Sequence, residues 1–114
     1  MKKFEDYMCK LISDLEVSQF YTGKTFMARA LYLLEEDETR LCCLSKLIYS
    51  DVANYYSTSP ACVERNIRTL IQIVWDSGNR DYLEKIARHK LEKKPANKAF
   101  IDIINYHYKH LTSE

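Results

Sequence analysis

The stretch that most limits what this chain can become runs from Asp51 to Gly78, DVANYYSTSPACVERNIRTLIQIVWDSG. Read at 100° per residue, Val63, Ile67, Leu70, Ile71 and Val74 fall on one side, the apolar stripe of a helix packed against a core. The start of that helix is marked three ways. Thr58 or Ser59 offers a side-chain oxygen to the free amides of the first turn, Pro60 suits the first helical position, and Glu64 lies near the positive end of the helix dipole. A shorter helix is predicted to end near Tyr55 and Tyr56, and Ser57, Thr58 and Ser59 form the turn between the two. Two helices joined by so short a turn, over roughly residues 48–77, have the outline of a helix-turn-helix.

Opposite the apolar side lie Ala61, Arg65, Arg68 and Gln72, with Cys62 and Thr69 flanking them. Two forked guanidiniums and an amide suit phosphates and the edges of guanine and adenine. Any surface helix is polar outside, however, so the stripe by itself leaves two readings: DNA contact or a plain solvated face.

The rest of the chain supports an all-α fold. Two glycines and two prolines in 114 residues leave few places for strand-linking turns, and no segment alternates with period two for long. A hydrophobic share of 46% excludes a disordered chain, and the length suits one domain. No apolar run approaches the roughly 20 residues that span a bilayer, and Lys2-Lys3 leads into no signal-type block, so a cytoplasmic protein without membrane contact is expected. Cys9, Cys42, Cys43 and Cys62 show no CxxC spacing and read as small, reduced apolar residues.

Charge is unevenly spread. Met1 to Ser59 holds seven Lys/Arg against nine Asp/Glu, whereas Pro60 to Lys98 holds nine against five, so the positive excess sits in and just after the candidate recognition helix. Within it, His89 to Lys98 carries Lys90, Lys93, Lys94 and Lys98 around Pro95, a basic loop that suits a DNA backbone or simply water.

In chain order, Lys2 to about Glu16 is predicted helical, with Phe4, Met8, Leu11, Ile12 and Leu15 inward. Val17 to Thr22 breaks the pattern, Gly23 is a pivot, and Thr25 to Glu35 is helical again. The acidic run Glu35 to Glu38 reads as a solvated junction. Arg40 to Tyr56 repeats Leu41, Leu44, Leu47, Ile48, Val52 and Tyr55 at helical spacing, with a bend or restart near Ser50-Asp51. Trp75 is expected as a buried anchor and Gly78 as a helix stop, Asp81 to His89 as a short helix, and Asn97 as the cap of a last helix through about Leu111. Enzyme signatures such as a P-loop, GxGxxG, GxSxG or HExxH are missing, so no catalytic residues and no cofactor are expected. His107 and His110 stand at a metal-compatible spacing without a near third ligand, so no metal is expected.

LSKLIYSDVANYY, VERNIR and VWDSGN together resemble the C-terminal DNA-binding domain of the master sporulation response regulator, stage zero sporulation protein A, of spore-forming Firmicutes. The resemblance continues through Lys94-Pro95-Ala96-Asn97 to Phe100-Ile101 and covers roughly residues 10–108. It implies a six-helix, winged-helix-like domain without a sheet, whose helix-turn-helix enters the major groove of double-stranded DNA. It also implies short repeated sites, often occupied by tandem dimers, and contact with the housekeeping sigma factor of RNA polymerase. Carried over by position, Glu64, Arg65 and Arg68 match the family's recognition-helix charges. Arg65 would fork to guanine, Glu64 would accept from cytosine, and Arg68, Lys93 and Lys94 would hold phosphates. Ser59, Ala61, Cys62, Thr69 and Gln72 complete the expected DNA face.

Two departures stand out. Ala61-Cys62 replaces the family's Ser-Arg pair, removing a hydroxyl and a guanidinium that reach DNA. A receiver domain of about 120 residues has no room within these 114, so regulation by phosphorylation-driven pairing is not expected. Both motivate a rival expectation: a protein-interaction module that keeps the fold and modulates a full-length regulator or the polymerase without strong DNA binding.

Overall fold

Helix formation follows the apolar spacing closely in the computed structural model, which describes residues 1–18 and 21–112. Among the described residues six α-helices follow one another: α1 (Lys2–Asp14), α2 (Thr22–Glu36), α3 (Ser50–Tyr55), α4 (Pro60–Ser77), α5 (Arg80–Ala87) and α6 (Asn97–Thr112). No strand occurs among the described residues. Between α2 and α3 the chain passes through a 3₁₀ turn (Glu38–Cys42) and a π-helical turn (Ser45–Tyr49).

One cluster of buried side chains joins all six helices. All five residues of the predicted apolar stripe on α4 are buried, each contributing about 1.5–3 kcal/mol relative to exposure. α2 packs against both α1 and α4. Gly23 makes that second contact possible: a Cβ there would lie 2.5 Å from the Asn66 carbonyl oxygen and 2.8 Å from Leu70 Cβ. It therefore sits within α2, at a close crossing with α4, rather than acting as a pivot ahead of the helix.

Helix ends are closed by backbone geometry more than by glycine. At the end of α1, Glu16 adopts φ 61°, its amide donates to the Ser13 carbonyl, and the Val17 amide donates to that of Ile12. This Schellman arrangement stops α1 at Asp14, two residues before the predicted end. Of the break expected over Val17–Thr22, Gln19 and Phe20 lie outside the described residues, and Thr22 already belongs to α2.

The helical stretch expected over Arg40 to Tyr56, with a bend or restart near Ser50-Asp51, is interrupted at a different place. The irregularity lies upstream of Ser50, and Tyr49 and Ser50 both have helical dihedrals, so neither Ser50 nor Asp51 restarts the helix as a cap. Instead the Ser50 hydroxyl donates to the Ser45 carbonyl five residues back, across the wide turn. The extra residue in that turn rotates the apolar face. Ile48 and Val52 are buried, while Leu47 and Tyr55 remain 41% and 53% exposed.

α4 ends at Gly78, which has φ −80° and ψ 175°, an extended conformation rather than the left-handed stop. Glycine is needed there for space, because a Cβ would lie 2.6 Å from the Val74 oxygen and 3.2 Å from that of Leu15. Trp75 is only half-buried. The Arg80 guanidinium covers it at 3.3 Å from the ring centre and donates to the Trp75 carbonyl at 2.7 Å. Asn79 caps α5 by accepting from the Tyr82 amide.

The acidic run ends α2 and is paired throughout. Glu35 meets Lys3, Glu36 meets Arg40, Asp37 caps the 3₁₀ turn through the Thr39 amide, and Glu38 meets Lys109.

Candidate nucleic-acid interface

The helix-turn-helix consists of the π turn, α3, the turn Tyr56–Ser59 and α4. Ser57 closes α3 in the left-handed region at φ 56°, with the Thr58 amide donating to the Ala53 carbonyl at 2.9 Å. Ser59, rather than Thr58, then caps α4, its hydroxyl oxygen accepting from the Cys62 amide at 3.1 Å. Two caps back to back fix the angle between the helices without a glycine.

A second fixture comes from α2. Arg29 Nε and Nη2 donate to Asp51 Oδ1 at 3.2 and 3.0 Å, and the guanidinium lies 4.6 and 4.1 Å from the ring centres of Tyr32 and Tyr55. Arg29 is 14% exposed, so this pair is screened far less than a surface ion pair. Neither residue stands out in the sequence, because they lie on different helices and are joined only by the fold.

On α4, Ala61, Arg65, Arg68 and Thr69 are exposed, while Cys62, Glu64 and Gln72 are half-buried. Their hydrogen bonds divide them. Arg65 makes no hydrogen bond or ion pair among the described residues, and its guanidinium faces water. Arg68 Nη1 donates to Glu64 Oε1 at 2.7 Å, which leaves the second carboxylate oxygen of Glu64 outside that bond. Gln72 donates to Asp76 Oδ2 at 2.7 Å and accepts from Lys94 Nζ. Cys62 contributes a carbonyl and a sulfur to the Asn66 amide, at 2.8 and 3.3 Å.

The structure thus brings Ser59 through Gln72 together on one helix and lays Lys94 across its C-terminal half. Lys93 lines an adjoining cleft with His89, Leu91, Asp102 and Ile103, on the other side of the Lys94–Ala96 segment that borders both. Asn97 is the first residue of α6 and not its cap. Its amide donates to the Tyr49 hydroxyl at 2.9 Å and to the Glu64 carbonyl at 3.2 Å, tying α6 to both parts of the helix-turn-helix. Burial raises the Tyr49 phenol above its usual pKa, so it stays protonated against this donor. Lys98, expected in a basic loop, instead belongs to the first turn of α6.

The two histidines considered as metal ligands are engaged separately. His107 Nδ1 meets the Tyr7 hydroxyl at 2.6 Å, and His110 Nδ1 meets the Tyr106 carbonyl at 2.9 Å. No cluster of three His, Cys, Asp or Glu suited to a metal occurs among the described residues. No described helix is long and apolar enough to cross a membrane.

Residues 8–108 match the family described as sporulation initiation factor Spo0A C terminal, and the chain belongs to that family. Membership makes it a DNA-binding effector domain of sporulation and transcription regulation, built as an all-α fold.

Proposed function

We propose that this member of the Spo0A C-terminal family is a sequence-specific reader of double-stranded DNA that inserts α4 into the major groove. The observation that carries this reading is Arg65, an exposed guanidinium with no partner among the described residues, in the middle of the exposed stripe. Its two-pronged donor set suits guanine O6 and N7. Glu64 presents its remaining carboxylate oxygen to cytosine N4, one turn from the helix start. Ala61, Cys62, Thr69 and Gln72 border the same surface, and Ser59, Arg68 and Lys94 hold the backbone. Pairing on tandem sites and contact with the sigma factor of RNA polymerase are part of the same proposal, drawn from the family.

Selection of bound duplexes from a random pool tests it. A recurring motif containing a guanine whose preference depends on Arg65 supports the reading, and recovery of unenriched sequence contradicts it.

One observation favours a second reading. Positions 61 and 62 offer only a methyl group and a thiol already in contact with Asn66. A module that has traded DNA affinity for a protein partner fits that loss. Recovery of a partner that survives nuclease treatment would favour it.

A further inference from the structure

We infer that Lys98 is a further phosphate-holding residue, set opposite Arg68 across a groove that the 94–98 segment forms along α4; the inference rests on the DNA-binding reading above. Two polar ties hold that segment against α4: Asn97 on the Glu64 carbonyl at 3.2 Å, and Lys94 on the Gln72 side chain. Eight residues separate the two anchor points, about 12 Å of helix at 1.5 Å per residue. Buried Pro95 lies between the ties and has no amide proton to satisfy. The segment therefore runs beside α4.

The groove between them, about 490 Å³, has Glu64 and Arg68 on its α4 side and Lys94 and Lys98 on the other. Three cations face one carboxylate, and that carboxylate is already bound to Arg68. The lining therefore carries a surplus of positive charge beside the stripe that faces the bases, where a strand's phosphates run.

Lys98 also breaks a local rule. It stands in the first turn of α6, next to the positive end of the helix dipole, where an acidic residue would stabilise the helix. It makes no hydrogen bond or ion pair among the described residues that would compensate. A phosphate in the groove supplies the missing counter-charge. Lys93, by contrast, lines the adjoining cleft and is not among the residues that line this groove.

The test is a fluorescence-anisotropy titration of a labelled mixed-sequence duplex over a KCl series between about 50 and 200 mM. Loss of one phosphate contact lowers the slope of log K against log salt by about 0.9. Lys98→Ala is expected to show that loss, to weaken binding alike for every sequence, and to lower the slope more than Lys93→Ala does. Lys98→Arg is expected to restore it. Thermal melting of Lys98→Ala should match or exceed wild type, which separates the contact from a structural role. A Lys98→Ala slope equal to that of a salt-sensitive wild type overturns the assignment of Lys98 alone. A wild type whose binding ignores salt overturns the DNA-binding reading and this inference with it.

Discussion

Along α4 the buried side and the exposed side are determined in different ways. Val63, Ile67, Leu70, Ile71 and Val74 are fixed by spacing and by the closeness of α2, which at Gly23 leaves no room for a methyl group. The exposed side looks uniform in sequence, yet the fold sorts it. Arg65 stays open, Arg68 is shared with Glu64, and Gln72 is held between Asp76 and Lys94. Residue type shows which groups are able to touch DNA, and tertiary hydrogen bonds decide which are available.

The sharpest way to break this contrast is to damage each side separately. Ile67→Ala empties a fully buried site and is expected to lower unfolding free energy by about 2–5 kcal/mol in a urea titration. DNA affinity per folded molecule should be unchanged. A loss of affinity in the folded fraction would mean that the two sides are coupled.

Restoring the family's pair on the exposed side works in the opposite sense. Ala61→Ser with Cys62→Arg is expected to tighten binding to the family's repeat by about 1–3 kcal/mol with little change in melting temperature. No gain would show that positions 61 and 62 do not reach DNA in this chain.

The smallest effect lies far from α4, where α6 meets α1. Burial holds the His107 imidazole below its usual pKa, so the folded protein binds its proton less readily than the unfolded chain does. This contribution to stability is intact above the unfolded value near 6.5 and is lost as pH falls through that value toward the lower folded one. His107→Gln should flatten that part of the stability profile, measured by thermal melts between about pH 7.5 and 5.5. An identical profile in the variant would assign the acid sensitivity to other groups.

Much of the fold was legible because helices declare themselves by period. The core positions of α1, α4, α5 and α6 follow from apolar spacing, and Pro60 with the preceding serine marks the start of α4 within a residue. The π turn was not legible, since its single extra residue leaves the apolar count intact while rotating Leu47 and Tyr55 outward. Gly78 carried a stop signal whose physical reason turned out to be crowding against the carbonyl oxygens of Val74 and Leu15. In the interface, the stripe from Ala61 to Gln72 followed from helix geometry alone. The ties made by Asn97 and Arg29 join residues 33 and 22 positions away, and no local pattern encodes such a pairing.

Base reading by the open guanidinium of Arg65 is the step on which the proposed function turns. It is tested most directly by comparing wild type and Arg65→Ala on a duplex selected from a random pool and on its shuffled counterpart, by anisotropy at low and moderate salt. The wild type is expected to prefer the selected duplex, and Arg65→Ala to lose about 1–3 kcal/mol of that preference while keeping its salt dependence. An Arg65→Ala protein with the wild-type preference intact, or a wild type that binds neither duplex at low salt, would contradict it.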